Sequence, residues 1–207
     1  MYKHFFKRLF AFVIALCALP FVLLAIIIFG PIIYFTDRGP IFYNATRTGK
    51  GAKQFKMYKF RSMYVNSPDL RNADGSTFNS DNDPRVTPIG RFMRKTSVDE
   101  IPQLLNVLFG DMTFVGPRPT LGTDKKLEEM DAVRQKRYSV RPGITGYAQA
   151  YFRNSIGQDE KFKWDCYYVD NLSFMLDIKI LWKTAMSVVK HENVFVENAP
   201  NKEAIKQ

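Results

Sequence analysis

The residues with the clearest chemical potential lie between Arg94 and Pro119, in RKTSVDEIPQLLNVLFGDMTFVGPRP. Asp99 and Glu100 are adjacent acids at the start of a short apolar segment, and Arg118 is held between Pro117 and Pro119. An adjacent pair of carboxylates near a rigidly held guanidinium is a candidate for a chemical role. Leu104, Leu105, Val107, Leu108 and Phe109 are predicted to form the buried side of a helix stopped by Gly110. The pair would then occupy its first turn, where unpaired N–H groups and the positive dipole end favour anions.

A structural reading competes with the chemical one. Ser97-Val98-Asp99-Glu100 has the spacing of a capping box, which accounts for one acid. It also puts Pro102 past the first turn, where a donor is lost. Taking Asp99 itself as the cap returns Pro102 to the first turn and leaves Asp99 at the helix tip.

The elements around this stretch carry an excess of bases. Among 207 residues, 30 are Lys or Arg and 20 are Asp or Glu, a net charge of +10, pointing to an anionic partner. Cys17 and Cys166 form no metal or disulfide motif, and a reducing compartment fits. With His4 and His191 far apart, a zinc site or a Ser-His-Asp triad is poorly supported. TGKG at Thr48–Gly51 is not a P-loop. It is predicted to join strands over Ile41–Arg47 and Gln54–Met63, the second gathering Lys56, Lys59 and Arg61 on one face. Val65–Pro88 is rich in turn residues and predicts a long loop. Arg85, Arg91, Arg94 and Lys95 then approach the acid pair.

Leu9 to Phe35 is an uncharged apolar run, long enough to span a bilayer. Pro20 predicts a break, and bases precede and follow the run, which suits two cytoplasmic ends. A signal peptide, a plain span and a re-entrant hairpin all answer to this pattern; the first is the poorest fit, because the run is long and no cleavage site follows. Asp124–Tyr138 reads as a charged amphipathic helix and Arg141–Gln149 (RPGITGYAQ) as a turn-rich loop. Lys161–Val169 and Ser173–Lys190 are basic and aromatic, suited either to a membrane interface or to core packing. The polar tail after His191 is expected to fray.

Taken together, KFRSM (Lys59–Met63), SVDEIPQLLNVLFGDM (Ser97–Met112), FVGPRP (Phe114–Pro119), RPGITGYAQ (Arg141–Gln149) and WDCYYV (Trp164–Val169) resemble, in this order, the bacterial sugar transferase family, the small monotopic polyprenyl-phosphate phosphoglycosyl transferases. The resemblance runs from about Lys7 to Lys190, without the additional spans of larger relatives. It implies an α+β, mainly helical fold: residues 1–36 a re-entrant membrane helix, 37–207 a cytosolic catalytic domain with a small β element and interfacial helices. It also implies transfer of a phosphosugar from a nucleoside-diphosphate sugar, a UDP-sugar, to undecaprenyl phosphate with release of UMP, at the cytoplasmic face of the bacterial inner membrane. Asp99 would be the nucleophile. Glu100, with Asp99, would hold Mg²⁺. Arg118, Arg94, Lys59, Arg61, Arg141 and Gln149 would contact substrate. Two departures stand out: Leu19 replaces the serine that often precedes the breaking proline, and GYAQ replaces GWAQ.

Membrane lipid is an expected partner and nucleic acid is not; the sugar and the oligomeric state are not legible. A membrane-anchored basic scaffold for anionic lipid or nucleic acid also accounts for the charge, but leaves Asp99-Glu100 unexplained, since acids weaken phosphate-backbone binding. A glycosyltransferase moving sugar without phosphate would release the nucleoside diphosphate instead.

Overall fold

The computed structural model describes residues 2–70, 78, 80, 82–122, 125–153 and 155–189. A π-helical turn, Tyr2–Phe6, leads into α1 (Lys7–Cys17) and α2 (Leu19–Asp37). The apolar run breaks at Ala18, two residues before the proline. Pro20 therefore sits in the first turn of α2, where its missing N–H costs nothing. The limbs have 11 and 19 residues, and α2 continues through Pro31.

Small and branched residues turn one side of each limb toward the rest of the chain. Ala11 and Ala15 pack with Met57, Val107 and Met112, while Ala25 and Ile33 pack with Phe60 and Met93. The other sides are apolar and exposed, with Phe21 and Ile27 at 70% and Phe35 at 77%. Among the described residues, α2 is the one helix long and apolar enough to cross a membrane.

The two predicted strands form as β1 (Phe42–Thr48) and β2 (Gln54–Phe60), an antiparallel hairpin around the Lys50–Ala52 turn. The expected grouping of bases does not follow. Lys56 has the opposite parity to Lys59 and is exposed, and β2 ends before Arg61. The polypeptide continues through α3 (Pro88–Thr96), a 3₁₀ turn (Val98–Glu100) and α4 (Gln103–Phe109), which Gly110 stops as expected with φ 89°. Two short strands follow, β3 (Thr113–Val115) and β4 (Thr120–Leu121); β4 extends the hairpin sheet in the order β2-β1-β4.

The stretch read as one amphipathic helix is instead a 3₁₀ turn, Leu127–Glu129, and a separate α5 (Ala132–Arg137), capped by Asp131 through the Arg134 N–H; Asp124 lies outside the described residues. RPGITGYAQ is likewise not all loop. It holds β5 (Gly143–Thr145), parallel to β3, and α6 (Tyr147–Tyr151). α7 (Gln158–Asp170) and α8 (Phe174–Val189) complete the body. Tyr168 is in the core, 1% exposed, whereas Trp182 is 71% exposed. The Val65–Pro88 loop lies only partly within the described residues, and the polar tail lies outside them.

Candidate active site

Asp99 and Glu100 sit on the 3₁₀ turn between α3 and α4, and neither caps a helix. Ser97 adopts the left-handed conformation (φ 58°) and makes no side-chain cap bond; the turn closes instead through Glu100 N–H to the Ser97 carbonyl, 3.2 Å. α4 starts three residues beyond Glu100 and is only seven residues long, so a helix dipole does little here. The positive potential comes from side chains. Lys59 Nζ lies 2.6 Å from Glu100 Oε1 and 3.6 Å from Asp99 Oδ2. Arg118 reaches the same Oε1 at 3.3 Å. Arg94 acts on Asp99 electrostatically and donates from Nε to Ser62 Oγ at 3.0 Å. Glu100 Oε2 makes no hydrogen bond among the described residues.

Two devices put these cations in place. Lys59 belongs to an edge strand, and Asn106 of α4 closes that edge: its Nδ2 donates to the Lys56 carbonyl (2.8 Å) and its Oδ1 accepts from the Tyr58 N–H (2.9 Å). Asn106 is wholly buried, while Phe109, expected in the core, is 64% exposed. Arg118 follows the Gly116-Pro117 turn, and RPGITG braces that turn by backbone alone. Gly116 N–H donates to Thr145 O (2.9 Å), and Gly143 N–H to Pro117 O (3.0 Å). A Cβ at Gly143 would stand 2.1 Å from Gly116 N, so only glycine permits the approach.

Arg137 was not singled out from sequence, and it supports the same turn. Its NH2 donates to the Arg118 carbonyl at 3.0 Å. The guanidinium is 2% exposed, pairs with Asp165 at 2.8 Å and lies 4.0 Å from the Phe162 ring centre. The available signal was Asp165: an acid inside an aromatic run needs a partner.

Burial gives the two acids opposite protonation behaviour. Burial pushes the Asp99 carboxyl above its ordinary value; Lys59, Arg94 and Arg118 pull it down without cancelling that effect, and the Glu100 charge adds to it. Burial also opposes the Glu100 charge, but Lys59 and Arg118 more than offset it and hold Glu100 down to about 2.

Two expected contacts, Arg61 and Arg141, are engaged elsewhere. Arg61, 7% exposed, binds the end of α2: Asp37 at 2.6 Å, the Pro40 carbonyl at 2.6 Å and the Ile33 carbonyl at 3.2 Å. A guanidinium with so many partners has little left for a ligand. Arg141 donates from Nε to the Gly110 carbonyl at 2.8 Å, at the far end of α4 from the acids. Gln149 on α6 donates to the Ile144 carbonyl at 3.4 Å, and its Oε1 lies beside Gly146, which packs on Gly116 of the turn that carries Arg118. Arg85 pairs with Asp83 inside the preceding loop.

The model of the bacterial sugar transferase family matches residues 2–191. The chain belongs to the bacterial sugar transferase family. It is 44% identical over 155 residues to the uncharacterized sugar transferase EpsL of Bacillus subtilis, covering 75% of this chain and 73% of that one. It is 41% identical over 170 residues to the undecaprenyl-phosphate galactose phosphotransferase of Salmonella typhimurium, covering 77% of this chain and 35% of that protein. The UDP-N-acetylgalactosamine-undecaprenyl-phosphate N-acetylgalactosaminephosphotransferase of Aeromonas hydrophila is 36% identical over 89% of this chain and 44% of its own length. The chain thus spans less than half of these two named phosphotransferases.

Proposed function

We propose that this bacterial sugar transferase is a phosphoglycosyl transferase, moving a sugar-1-phosphate from a UDP-sugar to undecaprenyl phosphate and releasing UMP. The observation that carries the reading is the placement of Asp99 and Glu100 under Lys59, Arg94 and Arg118. Both named phosphotransferases act with undecaprenyl phosphate, and the N-acetylgalactosamine enzyme takes a UDP-sugar donor, which supports the same carrier and donor class here.

In the proposed sequence, an Asp99 carboxylate oxygen attacks the phosphorus that carries the sugar. The bond to the bridging oxygen breaks, its electron pair leaves with UMP, and an aspartyl acyl phosphate that carries the sugar remains. An oxygen of undecaprenyl phosphate then attacks the same phosphorus and Asp99 departs as a free carboxylate. Arg118, half exposed, and Arg94 bind phosphate oxygens, while Lys59 orients both acids and favours the ionised form of Asp99. Mg²⁺ fits two adjacent carboxylates, one with a free oxygen, because it takes few protein ligands and completes its shell with water and phosphate. Glu100 and Asp99 would hold it, and when bound it neutralises diphosphate oxygens.

The break at Ala18 supports a re-entrant helix. Both limbs rest on the same body and turn exposed apolar faces outward. Phe10 of α1 lies 6.3 Å from Phe174 of α8, so the α8 face continues this surface as an interfacial helix. The body then lies at the cytoplasmic face of the inner membrane.

The test is trapping. With labelled UDP-sugar and no lipid acceptor, the wild type should carry phosphosugar on Asp99, and Asp99→Asn should carry none and lose on the order of 10³-fold in turnover. A label on Glu100 would exchange the two roles, and rapid turnover with no adduct would mean direct attack by the lipid phosphate.

A further inference from the structure

We infer that a second anion site, separate from the acid pair, lies between α1 and the C-terminal end of α4 and takes the phosphate of a membrane lipid headgroup. A partly open pocket of about 60 Å³ is found there, lined by Lys3, Arg8, Lys50 and Arg141. One water needs roughly 10–15 Å³ of such space, so a tetrahedral phosphate has room.

The convergence is built by the fold. Arg8 projects from the first turn of α1 over Gly110, where an added Cβ would meet its NH1 at 2.5 Å. Arg141 reaches the same residue through its hydrogen bond to the Gly110 carbonyl. Lys50 is delivered by the hairpin turn, which Gly51 N–H ties to the Tyr138 carbonyl at 2.8 Å, next to Ser139 on the pocket wall.

The charge is unbalanced. Lys7 lines the pocket too, but Asp177 neutralises it and Tyr168 accepts from it. Arg8 and Lys50 have no acceptor or carboxylate partner among the described residues. Asp111, hydrogen-bonded to Asn106, is the one described carboxylate acting on Arg141. Close like charges cost energy that a bound anion removes. Burial and the nearby Arg8 both weaken the hold of Arg141 on its proton, an effect that a nearby anion opposes.

The surroundings select a lipid. Phe12, on the pocket rim, belongs to the exposed apolar face of α1, which joins that of α8 through Phe10 and Phe174. A phosphate in the pocket leaves acyl chains free to follow this face. The seven-residue α4 separates the site from Glu100 by roughly 10 Å or more, too far for its occupant to react at Asp99.

Native mass spectrometry of the full chain in neutral detergent tests this, with dioleoylphosphatidylglycerol, dioleoylphosphatidylcholine and inorganic phosphate offered in turn. Wild type and Asp99→Asn should retain phosphatidylglycerol equally, at least fivefold above phosphatidylcholine and above Arg8→Gln/Lys50→Gln. Lys50→Glu, a single change on an exposed turn, should lose most of the adduct with unchanged melting, which guards against a misfolded double variant. Equal retention by wild type and both pocket variants would overturn the site. Equal retention of phosphatidylcholine would reduce it to chain packing, and inorganic phosphate binding as well as the lipid would overturn the lipid assignment. Loss of the adduct in Asp99→Asn would assign it to the acid pair. The readout is retention, so a failed trapping experiment at Asp99 leaves this result standing.

Discussion

Arg137 donates its NH2 to the backbone carbonyl of Arg118 at 3.0 Å, while its other contacts bind it to Asp165 and Phe162. It therefore positions Arg118 without facing the substrate. Arg137→Met leaves Asp165 buried and unpaired and should cost about 3 kcal/mol or more, read by chemical unfolding. Arg137→Lys keeps the charge but not the fork. It should fold, lose several-fold in kcat/KM, and have no further effect once Arg118→Ala is present. An additive loss in the double variant would assign Arg137 to the fold alone.

Arg118 itself is half exposed, so its removal should spare the fold. Arg118→Ala should lose most turnover with unchanged melting, and Arg118→Lys should recover little because it cannot present a planar pair of donors. Steady-state kinetics with normal values for the alanine variant would leave Arg118 only a turn residue.

The acids titrate in opposite senses. Asp99 is raised by burial, and as the proposed nucleophile it must be ionised, so the rate should fall on acidification at a pH above the usual carboxylate range. Glu100, held to about 2, stays charged throughout. Lys59→Met removes the largest downward pull on Asp99, and the acid limb of the pH–rate profile should move further up. The sign for stability follows: a raised acid opposes folding once pH exceeds its unfolded value. Asp99→Asn should therefore be at least as stable as wild type at pH 7, with that gain fading at low pH.

Arg61 should behave as a stability residue. Arg61→Ala leaves the Asp37 charge only backbone N–H groups such as that of Val65 and frees the end of α2, for about 3 kcal/mol, with substrate KM unchanged in the folded fraction. A raised KM with unaltered melting would return Arg61 to the site.

If the apolar run re-enters, Lys3 and the body lie on one side. A Lys3→Cys variant in oriented inner-membrane vesicles should react with an impermeant maleimide from the cytoplasmic face. Labelling from the periplasmic face alone would establish a span.

The hairpin and the stop at Gly110 were legible because each rests on local pattern, whereas Lys59 and Arg118 were linked to the acids through the family resemblance alone. The break at Pro20 was legible, but its position was not, since proline disrupts the residues before it and settles into the next first turn. Strand parity failed for Arg61 because β2 ends one residue earlier. RPGITG read as loop because its strand is three residues long and depends on a partner 30 positions away, Thr113 beside Gly143. Asn106 and Arg137 were hidden for the same reason: their value lies in what tertiary packing sets opposite them.

The bond from Lys7 to Asp177 joins positions 170 apart, and that sets an order of events during synthesis. The first limb leaves the ribosome long before its counter-charge exists. Until α8 emerges, α1 carries an unneutralised cation beside its apolar face, so on the proposed re-entrant reading the N-terminal hairpin enters the bilayer with Lys7 still at the aqueous boundary. Truncation before Asp177 should thus leave the first helix held by Met57, Val107 and Met112 but without a counter-charge for Lys7, and less firmly seated.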